Sequence, residues 1–247
     1  MVHTEVADGV HRVGHAHVSC YLLEDDDGLT LVDAGLPSFW PLVGHTLRAI
    51  GRRPADLRAL VLTHAHFDHV GIARRLVDRL GVPVWAHADE HYLARHPYRY
   101  AHANPRALYP VRHPRGVPIL TAMALAGAFT VKGVHADRTL LPGAVLDVPG
   151  RPVVVATPGH TFGHCALHLP ERDVLLTGDA LVTLDPYTGR TGPRVVAGAA
   201  TTDVDQALRS LDAIADTGAR TLLPGHGEPW TRGATAAVTH ARDAGVA

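Results

Sequence analysis

Residues 63–69 read Thr63-His64-Ala65-His66-Phe67-Asp68-His69, and this stretch decides more about the fold than any other part of the chain. Three histidines and one aspartate, all common metal ligands, fall within six residues. The apolar run Leu60–Leu62 before them predicts a buried strand, and the apolar spacing from Phe67 to Leu80 predicts a helix. The motif therefore lies at the carboxyl end of a strand, where open α/β sheets bind their ligands.

The number of ligand-type side chains in this turn indicates more than one ion. One turn cannot direct all four at a single small cation without crowding, whereas two adjacent cations can each take a pair. The chain has 19 histidines, so an isolated histidine carries little weight. The H-x-H-x-D-H spacing at a strand exit is much more specific, and it predicts a metal site.

A related pattern recurs later in the chain. An apolar run is followed by a glycine-containing turn and then by a ligand-type residue, and this happens at His160, Asp179 and His226. Glycine lets the backbone bend sharply, so that the next side chain projects from the sheet edge. We expect these three residues to complete the site that the first motif begins.

The rest of the sequence alternates predicted strands and helices. Short apolar runs predict strands, the first three as a β-meander, at Val10–Val13, Cys20–Leu23, Leu29–Val32, Val82–Trp85, Val153–Ala156, Cys165–Leu169, Val174–Leu176 and Thr221–Leu223. Helical spacing predicts helices at Phe39–Ile50, Asp203–Ala215 and Ala234–Arg242. Thr202 or Asp203 is the expected N-cap of the second of these.

Composition favours one cytoplasmic domain over residues 1–247. Hydrophobic residues make up 46% of the chain, and a net charge of −1 gives no general argument for nucleic acid or an anionic membrane. The N-terminus has no signal-peptide pattern, and the uncharged stretch 116–131 is too short to cross a bilayer. Cys20 and Cys165 lie in apolar segments, which favours buried thiols in a reducing compartment.

Residues 91–136 differ from their surroundings. The segment has no Asp or Glu, and it contains Lys132 and five arginines. Pro118–Val131 is predicted to be one apolar helix. We interpret the segment as an inserted cap over the metal edge. The arginines expected to attract an anionic substrate are Arg95, Arg99, Arg106, Arg112 and Arg115.

Taken in order, these motifs resemble those of the metallo-β-lactamase-fold hydrolases, over nearly all 247 residues. The matching stretches are Leu-Val-Asp-Ala-Gly around Asp33, the His64–His69 motif, Pro-Gly-His-Thr around His160, Thr-Gly-Asp ending at Asp179, and Pro-Gly-His-Gly around His226. The resemblance implies an α/β fold, a four-layer αββα sandwich with a two-metal site on one edge of its sheets.

The resemblance also implies a role for each matching residue. The first metal would be bound by His64, His66 and His160. The second would be bound by Asp68, His69 and His226. Asp179 would bridge the two metals, and Asp33 would orient the ligands by hydrogen bonds without touching metal. Two Zn²⁺ ions suit these ligands, and Fe or Mn in one or both sites stays open.

A dinuclear site implies hydrolysis. Two neighbouring cations turn a shared water into hydroxide near neutral pH, and the hydroxide attacks a carbonyl or phosphoryl centre. Asp68 is the candidate catalytic residue, since it could orient the hydroxide or move a proton. The leading interpretation is a hydrolase of small esters, thioesters or lactones.

Two branches of the family are closest in motif. Thr157–His164 is similar to glyoxalase II, a thioester hydrolase, but only 21 residues follow His226, so its C-terminal helical domain is not expected. Acyl-homoserine lactonases place a tyrosine three residues after the bridging aspartate. Val182 stands there in this chain, and whether Tyr187 contacts substrate instead is left open.

Two other functions remain as alternatives. One is a phosphodiesterase or nuclease of the same fold, and the other is a mononuclear iron oxygenase acting on persulfides. We expect a small-molecule substrate and neither a nucleic acid nor a membrane partner, and a homodimer stays open. Metal analysis separates the cases, because two zincs favour hydrolysis and one iron favours oxidation.

Overall fold

The computed structural model describes residues 3–247, which form strands and α-helices in mixed order. The strands are β1 (His3–Ala7), β2 (Val10–His15), β3 (Val18–Asp25), β4 (Gly28–Val32), β5 (Leu57–Val61), β6 (Val84–His87), β7 (Arg138–Leu140), β8 (Val153–Ala156), β9 (Cys165–Leu169), β10 (Val174–Gly178), β11 (Val182–Leu184), β12 (Thr191–Arg194) and β13 (Thr221–Pro224). The helices are α1 (Phe39–Ala49), α2 (Ala73–Leu80), α3 (His91–Arg95), α4 (Tyr109–Arg112), α5 (Val117–Leu125), α6 (Val204–Asp216) and α7 (Ala234–Ala244). None of these helices is both long and apolar enough to span a lipid bilayer.

Two sheets pack face to face in the middle of the molecule. The larger has the order β1-β2-β3-β4-β5-β6-β7, and the smaller has the order β13-β10-β9-β8. Buried apolar side chains from the facing surfaces fill the space between them, among them Leu23 and Val61 from the larger sheet and Leu167 and Leu176 from the smaller. Because strand side chains alternate between faces, the residues between them point outward toward the helices.

Helices cover the outer face of each sheet. Phe39 and Leu47 of α1 and Leu76 of α2 pack in one core with the outer side chains of the larger sheet, such as Leu31 and Leu60. On the other side, α6 and α7 pack on the smaller sheet in a separate core. The four layers are helix, sheet, sheet and helix, so the predicted αββα class is confirmed.

The strand directions bring the predicted ligands to one edge. β4 and β5 are parallel neighbours in the larger sheet, and β10 and β13 are parallel neighbours in the smaller. β8 is antiparallel to β9, which is antiparallel to β10, so β8 and β10 run in the same direction. Within each sheet, the loops that carry ligand-type residues therefore leave from the same edge.

The predicted helix from Phe67 to Leu80 is wrong in its first half, because α2 begins only at Ala73. The preceding turn is held by tertiary hydrogen bonds, with the backbone N–H of Gly71 donating to the Gly35 carbonyl at 2.8 Å. A Cβ on Gly71 would lie 2.2 Å from that oxygen, so only glycine allows this approach. The turn frees the side chains of the motif to point at the sheet edge.

The end of a second predicted helix also differs from the structure. The apolar helix predicted to reach Val131 ends at Leu125, and Gly127 beyond it has a φ of +99°. The predicted N-cap Asp203 is confirmed, since its side chain accepts the backbone N–H of Gln206 at 2.8 Å. The sequence did not predict β1, β7, β11 or β12, which are short or lie in turn-rich stretches.

Candidate metal centre

Asp33 ties the first ligand loop to the end of β4. Its φ of 59° lies in the left-handed region, which aspartate and asparagine tolerate better than most residues. Its Oδ1 accepts the backbone N–H of Thr63 at 2.8 Å, and its Oδ2 accepts the Thr63 hydroxyl at 2.8 Å. Oδ2 also accepts the Nδ1–H of His69 at 2.9 Å. One buried carboxylate therefore fixes the loop backbone and one of its imidazoles.

Hydrogen bonds also fix the tautomers of the imidazoles in this loop. The carboxylate of Asp33 can only accept, so Nδ1 of His69 carries a proton. The Thr63 hydroxyl donates to Asp33, and it therefore accepts from Nδ1 of His64, which lies 3.1 Å away. In both rings the Nε2 lone pair is left free, and both Nε2 atoms are buried without a hydrogen-bond partner.

The same logic applies to two imidazoles from the smaller sheet. Nδ1 of His226 lies 2.8 Å from the carbonyl of His17 and must donate to it. The Thr201 hydroxyl donates to the Val196 carbonyl at 2.7 Å, so it accepts from Nδ1 of His160 at 3.3 Å. Four rings from three loops thus present Nε2 toward one centre.

His66 is oriented differently. Its Nδ1 lies 3.0 Å from Nε2 of His160, so this nitrogen faces the centre. Its Nε2 is buried and has no hydrogen-bond partner. The ring instead stacks on Tyr100, with centroids 3.9 Å apart and planes at 34°. Stacking therefore takes the place of the hydrogen bond that orients the other imidazoles.

The carboxylates of Asp68 and Asp179 complete the cluster. Nε2 of His226 lies 3.2 Å from Asp68 Oδ2 and 3.2 Å from Asp179 Oδ2. Nε2 of His69 and Nε2 of His160 each lie 3.5 Å from Asp179. Asp179 is thus within reach of imidazoles on both sides of the cluster. Among the described residues, ligand-type atoms converge within 4.8 Å in three groups: His64, His66 and His160; His64, His69 and Asp179; and Asp68, His69 and His226.

Close approach at the centre depends on a glycine before His226. A Cβ on Gly225 would lie 2.2 Å from Asp179 Oδ1 and 2.7 Å from the His69 ring. No side chain fits in that space, so the glycine that marks this turn in the sequence is required by packing around Asp179.

The cluster carries strong and opposing electrostatic effects. Burial alone would raise the pKa of Asp179, but His226 and His69 beside it hold that pKa well below its usual value. Burial opposes protonation of His226, yet the neighbouring Asp179 and Asp68 raise its pKa to about 10. Burial lowers the pKa of His160 to about 4. The carboxylate side of the cluster therefore favours positive charge, and the imidazole side consists of neutral donors.

Two supporting residues were not assigned a role from the sequence. Glu90 is buried, and its two oxygens accept the backbone N–H groups of Ala65, at 2.8 Å, and Gly163, at 3.0 Å. It therefore links the two loops that carry His64–His69 and His160. Burial raises the pKa of Glu90. Its contacts join segments far apart in the chain, so no local spacing could have indicated them.

His164, which ends the Thr157–His164 stretch, is the second of these residues, and it positions Asp179. The backbone N–H of Asp179 donates to Nε2 of His164 at 3.0 Å. Nδ1–H of His164 then donates to the Thr157 hydroxyl at 2.8 Å. His164 follows His160 in the Pro-Gly-His-Thr-Phe-Gly-His stretch, and this repeated histidine was the one local signal for its role.

A narrow pocket opens onto the cluster, with about 310 Å³ of empty space including the part open to solvent. His66, Asp68, Asp179 and His226 of the cluster line it, together with several apolar side chains. The lining residues beyond the cluster are Phe67, Tyr100, Leu120, Met123, Pro186, Tyr187, Val196 and Ala200. Larger surface depressions elsewhere contain none of the seven ligand-type residues.

Tyr187, named from the sequence as a candidate for substrate binding, lies on the pocket wall. Asp185 holds its loop, because Oδ1 accepts the backbone N–H of Tyr187 at 3.0 Å and Oδ2 accepts the Thr188 hydroxyl at 2.8 Å. Burial raises the pKa of Tyr187. The phenol is therefore protonated at neutral pH and can act as a hydrogen-bond donor.

The five arginines of the basic segment divide into two groups. Arg95, Arg99, Arg112 and Arg115 are exposed, whereas Arg106 is half-buried. The guanidinium carbon of Arg106 lies 4.0 Å from the centre of the Tyr100 ring. The structure therefore brings Arg106 next to the pocket wall and leaves the other four at the surface.

The chemistry of the donor set fits divalent metal ions. Three buried donor atoms that face the centre have no hydrogen-bond partner: Nε2 of His64, Nε2 of His69 and Oδ1 of Asp179. A buried polar atom without a partner costs about 1–3 kcal/mol. Imidazole nitrogen and carboxylate oxygen are the ligands that zinc takes in catalytic sites. A cation bound at this centre would satisfy these groups together.

Comparison with known proteins identifies the class. Residues 13–226 match the model of the metallo-beta-lactamase superfamily. The chain belongs to that superfamily, as its motifs predicted, and it is a metal-dependent hydrolase.

Three relatives illustrate the similarity. The probable metallo-hydrolase YflN of Bacillus subtilis (strain 168) is 28% identical over 92% of this chain and 87% of its own length. The hydroxyacylglutathione hydrolase of Rhizobium meliloti (strain 1021) is 30% identical, over 56% of this chain and 39% of its own. The crystal structure of TTHA1623 in a di-iron-bound form is 26% identical, with a TM-score of 0.60 over 89% of this chain and 92% of that one.

Proposed function

We propose that this protein is a two-metal hydrolase of small esters, thioesters or lactones. The observation that carries the proposal is the convergence of seven buried ligand-type side chains, four of which line a pocket with largely apolar walls. The proposed ligand sets are those implied by the family resemblance, with Asp179 between the metals. Two zinc ions are the proposed metals, and the di-iron form of a similar protein supports testing iron as well.

The pocket supports a water-derived nucleophile. Among the described residues that line it there is no serine or cysteine, and both cysteines of the chain are buried elsewhere. Divalent cations bound at the cluster would supply hydroxide near neutral pH and polarise the substrate carbonyl. Asp68 lines the pocket, and its pKa stays low despite burial because His69 and His226 lie beside it. Asp68 is therefore an anionic acceptor that can take and pass on a proton.

The pocket walls support the choice of substrate. Phe67, Leu120, Met123 and Val196 offer an apolar surface to an acyl chain, and Tyr187 offers a protonated hydroxyl to a substrate oxygen. The similarity to a hydroxyacylglutathione hydrolase over part of the chain supports including thioesters. A glyoxalase II-like thioesterase and a lactonase are both within this proposal. A cytoplasmic location remains part of it as well, supported by two free, buried thiols.

Metal analysis and a substrate panel test the proposal. Protein purified without added metal should contain about two metal ions per chain, and His64→Ala should lower that number, while His135→Ala, at an exposed position, should not. The metal-loaded protein should hydrolyse members of a panel of 4-nitrophenyl esters, acyl thioesters and lactones. Activity only on bis(4-nitrophenyl) phosphate, or one iron per chain with oxygen consumption on a persulfide, would contradict it.

A further inference from the structure

Three side chains form a stack that ends at the metal centre. The ring of Tyr100 lies between the guanidinium of Arg106, 4.0 Å from its centroid, and the ring of His66, 3.9 Å from its centroid. Tyr100 also lines the pocket, next to Tyr187. The stack therefore places a fixed positive charge behind the Tyr100 part of the pocket wall, with one aromatic ring between the guanidinium and a candidate metal ligand.

Arg106 has no anionic partner within the described part of the chain. Its Nε donates to the Ala199 carbonyl at 2.9 Å, and its Nη2 is buried without a hydrogen-bond acceptor. Ion pairs occur at other arginines, such as Arg12 with Glu228 and Arg52 with Glu24, but none includes Arg106. The protein therefore leaves the positive charge of this half-buried guanidinium without a compensating carboxylate, and an anion bound nearby would supply one.

The charges of the surrounding segment favour the approach of an anion over that of a cation. Residues 91–136, all of which the structure describes, include no Asp or Glu. Of their six Lys and Arg side chains, Arg106 is half-buried, and the other five are exposed. Solvent screens the exposed five, whereas Arg106 acts over a short distance across a partly dry wall.

Backbone contacts hold Arg106 in this position. The preceding residues pair with the loop after β12, where the backbone N–H of Ala103 donates to the Thr201 carbonyl at 2.8 Å and that of Asn104 donates to the Gly198 carbonyl at 2.9 Å. Thr201 is also the residue whose hydroxyl orients His160. The same loop therefore positions Arg106 and one imidazole of the cluster, which keeps their separation fixed.

We propose that Arg106, behind the Tyr100 part of the pocket wall, is the specificity-determining residue that selects by its charge for a carboxylate or similar anion on the acyl part of the substrate. The inference rests on the proposed hydrolase function and narrows its substrate class to acyl compounds that carry a negative charge a short chain away from the reacting carbonyl. A guanidinium stays positively charged at all working pH values, so it attracts an anion across a partly buried wall. The four exposed arginines have no part in this selection.

A matched pair of esters tests the inference. Mono(4-nitrophenyl) glutarate and 4-nitrophenyl pentanoate share the leaving group and the chain length, and they differ in one terminal carboxylate. Arg106→Gln, which keeps a planar amide but removes the charge, should lower kcat/KM for the glutarate ester by about 10- to 100-fold and change that for the pentanoate ester less than about 3-fold. Arg106→Lys should fall between. Arg112→Gln, at an exposed position of the same segment, should change neither.

Equal losses for both esters in Arg106→Gln would overturn the inference, because they would show that Arg106 acts only by supporting Tyr100 and His66. Unchanged values for both would overturn it as well. A binding measurement separates this result from failure of the hydrolase proposal. Isothermal titration of the purified protein should detect glutaramate and not pentanamide, and Arg106→Gln should abolish this difference. If the wild-type protein hydrolyses neither ester, the titration still decides whether the anion site exists, and equal binding of the two amides would refute it.

Discussion

Replacing Asp33 by asparagine would change one atom of the support around His69, and its effect on metal binding can be worked out from the hydrogen bonds. The Oδ1 atom would still accept the Thr63 backbone N–H, now seen at 2.8 Å. The amide nitrogen would replace Oδ2, which accepts both the Thr63 hydroxyl and the Nδ1–H of His69. The hydroxyl can rotate, but the imidazole cannot satisfy the new N–H without losing its own Nδ1 proton.

The substitution therefore sets two requirements against each other. With Nδ1 as acceptor, Nε2 of His69 carries the proton and has no lone pair for a metal ion. With Nδ1 protonated, two N–H groups face each other and a charge-assisted hydrogen bond worth about 1.5–3 kcal/mol is lost. Either route should weaken binding of one metal ion about 10- to 100-fold, the range typical of contacts that orient metal ligands. The fold should persist, because asparagine tolerates the φ of 59° at this position.

The assay is a zinc titration of metal-depleted protein in the presence of a competing chelator. Wild type and Asp147→Asn, a change at an exposed position, should show two tight sites. Asp33→Asn should keep one tight site and weaken the other, and the imidazole ¹⁵N shifts of His69 should report the altered tautomer. Two sites of unchanged affinity in Asp33→Asn would refute the argument that this carboxylate fixes the ring of His69.

Three further predictions follow from packing, burial and the donor set. Gly71→Ala should lower the melting temperature severely, because its Cβ would lie 2.2 Å from the Gly35 carbonyl oxygen. Gly44→Ala inside α1 meets only a side-chain atom at 3.8 Å and should stabilise the fold by about 0.5–1 kcal/mol. Equal melting curves for the two variants would contradict this prediction. Cys20 and Cys165 should resist a maleimide at neutral pH in the folded protein and react with it after unfolding. The reason is that burial raises the pKa of both thiols, that of Cys165 to about 12. Rapid labelling of the folded protein would contradict this prediction. Removing metal with a chelator should lower the melting temperature by about 5–10 °C, which corresponds to roughly 3 kcal/mol of binding at a hundredfold excess over Kd, and re-addition of zinc should restore it.

Much of the fold was predictable from local patterns. The strands before the ligand residues are apolar runs of the expected length, and both β8 (Val153–Ala156) and β9 (Cys165–Leu169) have the predicted bounds. Asp203 caps α6 by accepting the backbone N–H of Gln206, three residues away, and a contact this local can be predicted from sequence alone. The candidate ligand residues lie in loops that follow strand ends, so the strand directions themselves bring these loops to one edge.

The parts that could not be predicted depend on contacts between distant segments. The non-helical turn before α2 is held by the backbone of residues 34 and 35, and helical apolar spacing gives no sign of this. Glu90 links two loops more than seventy positions apart, and Arg106 is distinguished from four other arginines only by its stacking on Tyr100. The composition shows that the segment is basic, but only the tertiary structure shows that Arg106 is half-buried while the other four arginines are exposed.

The ligand-type residues come from both halves of the sandwich, and this has a consequence for how the chain matures. The His64–His69 loop leaves the seven-stranded sheet, and the loops with His160, Asp179 and His226 leave the four-stranded sheet. Neither half contains a full set by itself, so we expect a newly synthesised chain to gain high affinity for metal only after the halves have docked. Ion capture would then be a late event in biogenesis, and a bound ion would cross-link two sheets that otherwise meet through a layer of aliphatic side chains.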